Sequence, residues 1–398
     1  MIRGRAPHAI LLVGAEGVGK TTLALDLAAG LLCTAADPAA RPCGACRSCR
    51  MVLAGGHPDV HRLAPEGPGR QVGIGGPGAR APGISELIGA LSLLPVEGGA
   101  RVAIVESAQR MNDDAQAALL KTLEEPPGGV TLVLCADAEE PLLPTIRSRC
   151  ARLRLGPVGA RDIEAILAAN GVADPPLAAR LARASGGRPG LALAWAADPE
   201  VMRTRGELAR SLLDLIDRGP ADRLAGVRSA AGRAARLAVI ADSNGVAAPT
   251  AGKRAAGTGA RGPRGGSALP AQSGADPDAL TGSDPGTLDP GVAPDDDGPT
   301  PVRAPATERR RAAESLVALW TDVTRDLALC QRGLGRDVRG IDLLDESSAM
   351  AGRLSEAAIT AFLERLGRAS LLLRSNVSPE LVLDDLALRW PRPEAAAA

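Results

Sequence analysis

A glycine-rich loop set between an apolar pentapeptide and an apolar-periodic run constrains this chain more than any other feature. Gly14-Ala15-Glu16-Gly17-Val18-Gly19-Lys20-Thr21-Thr22 fits the spacing G-x-x-x-x-G-K-[ST]. It follows Ala9-Ile10-Leu11-Leu12-Val13 and opens a helical pattern running from Thr21 to Leu32. A strand that passes into a helix through such a loop belongs to a βα unit, and βα units assemble into parallel sheets covered on both faces. Two further segments, Val102 to Val105 and Val130 to Cys135, read as buried strands, with helical patterns over Ile84 to Leu94 and Asp113 to Glu125 between them. The expected class is α/β, a parallel sheet with helices on both faces, followed by helices alone.

The loop also carries chemistry. Gly14, Gly17 and Gly19 let backbone N–H groups turn inward around phosphate oxygens, and the helix N-terminus adds a favourable partial charge. Lys20 would meet the β- and γ-phosphates of ATP and Thr21, followed by Thr22, the magnesium ion. Hydrolysis also needs an acid at the end of a second strand, usually Asp followed by Glu. Here Val102 to Val105 ends in Glu106-Ser107. The longer Glu106 displaces a metal contact by about 1 Å, a shift that costs about 100-fold in rate, and Ser107 cannot act as a carboxylate base. Nucleotide binding without competent hydrolysis is expected.

Four of the seven cysteines, Cys33, Cys43, Cys46 and Cys49, crowd into C-x9-C-x2-C-x2-C. Two C-x2-C steps sharing a thiol, with a fourth at the end of the preceding helix, suit a closed tetrahedral Zn2+ site, structural because no position is left for water. The odd count fits a reducing compartment better than a disulfide framework. A redox C-x-x-C is the lesser alternative, since the segment leads out of a helix rather than sitting in a thioredoxin-like unit. His57 is a conceivable fifth candidate, and Cys135 and Cys330 sit in apolar runs as buried side chains.

With 398 residues the chain exceeds one packed core. Lys+Arg and Asp+Glu are 46 each, so any nucleic-acid contact must be a local patch, and aromatics at 1% leave little for base stacking. No apolar run reaches membrane length and no secretory leader is apparent, so a cytoplasmic location is expected. Between 241 and 306 roughly a third of the positions are Gly or Pro, a composition expected to form a disordered linker. Apolar periodicity returns over 307 to 393, read as all-helical, with Ile359, Phe362, Leu363 and Leu366 at helical spacing.

Four segments in order carry a resemblance: Pro7-His8-Ala9 with its loop, the cysteine module continuing into His57-Pro58-Asp59-Val60, Ala118-Leu119-Leu120-Lys121-Thr122-Leu123-Glu124-Glu125-Pro126-Pro127, and Leu143-Pro144-Thr145-Ile146-Arg147-Ser148-Arg149-Cys150. Together they resemble the delta-prime family of bacterial DNA polymerase III clamp-loader subunits, AAA+ proteins, over residues 1 to about 195. Val377-Ser378-Pro379-Glu380-Leu381 resembles the family's collar more loosely, and the 241–306 segment looks like an insertion.

The resemblance implies an AAA+ domain over 1–155 with the zinc module (33–49) inserted, a helical lid and following helices over 156–240, and a helical collar over 307–393. It implies a place in a pentameric ring with gamma/tau and delta subunits that loads the sliding clamp onto primer-template DNA. Arg149, in the Ser-Arg-Cys motif, would be given in trans to a neighbour's γ-phosphate. Arg188 falls where the lid often supplies a sensor arginine, with an ordinary surface ion pair as the alternative. Departures point the same way as Glu106-Ser107. Position 117 is Ala where the family usually has Asn, Cys135-Ala136-Asp137 lacks the Thr expected of sensor 1, and the helix usually found ahead of Ile10 has only a few residues to form from. These losses favour the non-hydrolysing role over the gamma/tau-type motor, which shares the fold and a zinc module. A stand-alone zinc-dependent nucleic-acid binder would need a basic, aromatic-bearing surface that this composition does not supply.

Overall fold

The computed structural model describes residues 7–65, 71–76, 82–97, 99–243, 305–375 and 377–393. They lie in one of two compact units, Met1–Pro249 with Pro305–Ala398; the other, Thr250–Ala304, lies outside the described residues. So does the segment expected to be a linker, apart from 241–243 and 305–306.

Ten elements build the first half. They are β1 (Ala9–Val13), α1 (Lys20–Leu32), α2 (Arg47–Leu53), β2 (Val60–Leu63), α3 (Ile84–Leu91), β3 (Arg101–Val105), α4 (Asp113–Glu124), β4 (Val130–Ala136), α5 (Pro144–Arg149) and β5 (Ala151–Arg154). The strands form one sheet in the order β2-β3-β4-β1-β5, every neighbouring pair parallel. Because side chains alternate along a strand, the central strands feed two cores. Leu11, Ala103, Val105, Leu132 and Leu134 pack with α3 and α4, while Ile10, Leu12, Val102, Ile104, Val133 and Cys135 pack with α1 and α2. This is the doubly covered parallel α/β sheet expected from the strand and loop pattern.

The three apolar strands were legible as strands, but the two at the edges were not. Val60–Leu63 carries His61 and Arg62, and Ala151–Arg154 is exposed along its whole length, so neither has the apolar run that marks a buried strand. Helix α3 stops three residues short of the expected Leu94. The buried Arg101 guanidinium donates to the carbonyls of Ala90 and Leu94, and the buried Asp59 carboxylate accepts from Val96 N (2.7 Å) and Glu97 N (2.8 Å). These bonds hold the chain in a turn that leaves Leu93, Leu94 and Val96 exposed.

The rest is helical: α6 (Ala160–Ala169), α7 (Pro175–Ala184), α8 (Pro189–Ala197), α9 (Pro199–Asp214), α10 (Pro220–Ser243), α11 (Ala306–Gln331), α12 (Leu344–Ala351), α13 (Glu356–Arg374) and α14 (Pro379–Leu388). Proline opens the first turn of α7, α8, α9 and α14, where its missing N–H costs nothing. The stretches read from sequence as 156–240 and 307–393 contribute to a single hydrophobic core, joined where α10 lies along α11. At its centre Trp320, Phe362 and Trp390 meet with ring centroids 4.6 to 5.5 Å apart. Arg223, fully buried, donates to the carbonyls of Leu215 (2.9 Å), Ile216 (2.7 Å) and Trp390 (2.5 Å), tying the end of the described chain to the α9–α10 turn. No helix among the described residues is long and apolar enough to cross a membrane.

Phe362 is 2% exposed between the two tryptophans. Phe362→Ala should therefore cost about 3 to 5 kcal/mol, read as a lower midpoint in urea denaturation followed by tryptophan fluorescence.

Candidate phosphate-loop site and metal centre

Strand register places the loop. Val13 pairs with Ala136 and Val105 with Leu134, so Gly14, Glu106 and Asp137 all emerge at the carboxyl edge of the sheet, where ligands of open α/β sheets bind. Gly17 (φ 78°) and Gly19 (φ 106°) hold left-handed backbone conformations that other residues rarely adopt. They turn the chain so that α1 begins at Lys20 with no side chain capping its N-terminus. Thr21 is half-buried and Thr22 exposed on the first turn.

Lys20 is buried, and its Nζ donates to Gly14 O (2.8 Å), Ala15 O (3.0 Å) and Asp137 Oδ1 (2.7 Å). The second carboxylate oxygen of Asp137 accepts from Gln109 Nε2 (2.7 Å), while Gln109 Oε1 accepts from Asp137 N (3.2 Å). Glu106 is buried and bound to Arg62 of β2, with Arg62 Nε at 3.0 Å and Nη2 at 2.6 Å from Oε1. Ser107 next to it lies at φ 50°, a left-handed position uncommon for a residue with a side chain. Cys135 is an interior thiol, pushed up to about 12 by burial and then by the charge of Glu106.

The loop backbone fits a polyphosphate, while Lys20 as it stands is engaged by Asp137. The second-strand acid does not fit a magnesium ion as it stands, because an arginine already occupies Glu106. Two participants escaped sequence reasoning. Arg62 lies on a strand with no apolar signature, and Asp137 was noted only as part of a segment that lacks a threonine. An acid directly after an apolar strand that ends beside a phosphate loop is a signal that could have found it.

The two candidate arginines come from the end of α5 and the start of α8. Arg149 ends α5, held by Glu124 (Nη2 to Oε1 2.7 Å) and Thr145 O (3.2 Å), with 35% of its side chain exposed. Gln116 fixes the approach of α5, accepting from Leu143 N (2.8 Å) and donating to Pro141 O (3.2 Å). Arg188 caps the start of α8 and donates from Nε to Ser185 O (2.8 Å). Burial lowers its pKa, against the nearby carboxylate of Asp322, which itself binds Arg205 and Arg339. One residue pair on, Gly190 N donates to Gly17 O (2.9 Å), so α8 rests directly on the phosphate loop.

The four cysteines converge. Cys33 caps the end of α1, Cys46 caps the start of α2, and all four Sγ atoms lie within 4.8 Å of one another. Cys33 and Cys46 sulfurs are 4.0 Å apart, against about 3.8 Å between thiolates around a tetrahedral zinc ion with bonds of about 2.3 Å. Backbone N–H groups turn toward the sulfurs, Cys46 N to Cys43 Sγ (3.3 Å) and Cys49 N to Cys46 Sγ (3.4 Å). The Cys49 amide brings the Cys46 thiol down to about 5, while burial pushes Cys49 up to about 12. The donor set thus fits a soft divalent ion, and loading it must expel protons from the remaining thiols.

His57 is outside the sulfur cluster. Its Nδ1 accepts from Asp59 N (3.1 Å), so Nε2 carries the proton and donates to Ser48 Oγ of α2 (2.7 Å). This buried link fastens the cysteine module to the start of β2. Burial disfavours the charge of neighbouring Asp59, but the Glu97 and Val96 amides and the Arg101 guanidinium outweigh it and lower its pKa.

Residues 1–159 match the family model described as DNA polymerase III, delta subunit. DNA polymerase III subunit delta' of Pseudomonas aeruginosa is 40% identical over 150 residues, covering 38% of this chain and 43% of that one. The chain spans about half the length of the curated delta' relatives it matches. DNA polymerase III subunit gamma/tau of Mycobacterium tuberculosis is 28% identical over 415 residues, covering 99% of this chain and 58% of that protein. Among solved structures, a DNA polymerase III gamma subunit-related protein from Thermotoga maritima aligns over 97% of this chain and 94% of its own, at 16% identity and a TM-score of 0.36.

The sulfur geometry sets an expectation for the metal. Protein purified under reducing conditions should carry one tightly held metal ion per chain by elemental analysis, and Cys43→Ser/Cys46→Ser should carry none. The double variant should lose α2 to proteolysis while the sheet, whose two cores are mostly built elsewhere, keeps its cooperative melting. Full metal content in that variant would refute the assignment.

Proposed function

We propose, on the premise that this chain belongs through residues 1–159 to the DNA polymerase III delta-subunit family, that it is the delta' subunit of a clamp loader. In this reading it joins gamma/tau and delta subunits in an AAA+ ring that loads the sliding clamp onto primer-template DNA. It contributes little hydrolysis of its own and gives Arg149 to the nucleotide of a neighbour. Cys33, Cys43, Cys46 and Cys49 hold a structural Zn2+, and any ATP with its Mg2+ is bound by Gly14, Gly17, Gly19, Lys20, Thr21 and Thr22 without efficient turnover. Arg188 serves as the sensor arginine of the lid.

The observation that carries the reading is the contrast between two charged groups. Glu106, the acid that a motor subunit would aim at magnesium, is buried against Arg62. Arg149 instead pairs with Glu124, whose side chain is 51% exposed. Exposed pairs of this kind contribute about 0 to 1 kcal/mol, so a neighbour's phosphate can take the guanidinium from Glu124 at little cost. There it would stabilise charge that grows in the transition state.

A motor of the gamma/tau type is the second reading, favoured by the similarity to gamma/tau that runs the length of this chain. The two readings separate on a pair of variants. Arginine fingers are worth about 10³ to 10⁵ in rate, but other intact sites in the ring would soften the loss. Arg149→Ala should leave folding, metal content and co-purification with gamma/tau and delta intact while lowering DNA- and clamp-stimulated ATPase and clamp loading by about tenfold or more. Lys20→Ala should do much less. Loss of clamp loading with Lys20→Ala and none with Arg149→Ala would make the chain a motor, and failure to co-purify would remove it from the ring.

A further inference from the structure

Lys20 has three ammonium protons and three partners. Two are carbonyls of its own loop, and the third is the carboxylate of Asp137, which follows β4 at the carboxyl edge of the sheet. We infer that Asp137 is a built-in anion that takes the place of phosphate at Lys20, so that the loop holds nucleoside di- and triphosphates only weakly while this carboxylate is in position. The inference rests on reading Gly14 to Thr21 as a phosphate loop and is independent of the chain's assembly with other subunits.

Asp137 is held there by its strand and by Gln109. Its backbone follows β4, whose register with β1 puts it beside Gly14. Gln109 binds it twice, giving an N–H to Oδ2 and accepting the Asp137 amide on Oε1. Gln109 in turn sits in the tight turn Ala108–Arg110, entered through the left-handed Ser107. Rotating the carboxylate away from Lys20 breaks an ion pair and the Gln109 bond together, and Lys20 is only 8% exposed, so water screens this pair weakly.

Charge then decides what the loop admits. A polyphosphate reaching Lys20 meets a carboxylate already bonded to that lysine, and like charges at such separations repel strongly where water is scarce. The buried Glu106 carboxylate one strand away is neutralised by Arg62 and gives the incoming anion no metal contact. A neutral side chain at 137 of the same shape removes the repulsion and frees one lysine proton for phosphate, leaving the Gly14 and Ala15 carbonyl contacts in place.

The test is a titration of a fluorescent ADP analogue with Mg2+ into the full native chain, Asp137→Asn, Asp137→Ser, and the double variant Lys20→Ala/Asp137→Asn. Metal content and thermal melting of each confirm folding. Both single variants should bind about tenfold or more tightly than the native chain, and the gain should vanish in the double variant. Asp137→Ser carries the measurement if Asp137→Asn does not fold. Native binding as tight as that of the single variants, no gain in a folded variant, or a gain that survives loss of Lys20 would each overturn the inference. Failure to co-purify with clamp-loader subunits would sink the functional reading and leave this affinity ratio untouched.

Discussion

The pairing of β1 between β4 and β5 is the constraint on which the rest of the first half depends. A parallel strand in the middle of a sheet must be apolar on both faces, and β1 meets that demand with Leu11 on one side and Ile10 and Leu12 on the other. Its register carries Gly14 to the same edge as Glu106 and Asp137. A shift of one residue would exchange the two cores and separate the loop from Asp137, so packing and site geometry are decided by the same hydrogen bonds.

Ionic contacts in this half differ in how easily they exchange. Glu106 with Arg62 and Lys20 with Asp137 join groups that are mostly shielded from water, and removing one partner from such a pair leaves a costly stranded charge. Arg149 with Glu124 lies open to solvent and is worth little. The chain therefore keeps Lys20 and Glu106 engaged internally while the Arg149 guanidinium is held by an exposed partner.

Besides their apolar packing, the cysteine module, the turn after α3 and the helical half are each held by buried polar groups. His57 links α2 to the start of β2 through Ser48, and Asp59 and Arg101 arrest α3 and turn the chain at Leu93 to Val96. Arg223 performs the same service among the helices by satisfying carbonyls of two chain segments far apart in sequence. Buried donors and acceptors cost about 1 to 3 kcal/mol when left unpaired, so each of these residues constrains one arrangement of its neighbours.

Local signals in the amino-acid sequence were enough for the loop, the three central strands, the helices flanking them and the cysteine cluster. Each depends on spacing within a short window: a glycine pattern after an apolar run, a period of two or of 3.6, thiols two residues apart. The edge strands β2 and β5 escaped because partial exposure erases the apolar pattern. The partners of the charged residues escaped for a different reason. Lys20 and Asp137 are 117 residues apart, Arg62 and Glu106 are 44 apart, and nothing local tells a carboxylate which cation it will meet. Sheet register alone brought them together, and with that it determined that the lysine of an intact phosphate loop is bound to a carboxylate of its own chain.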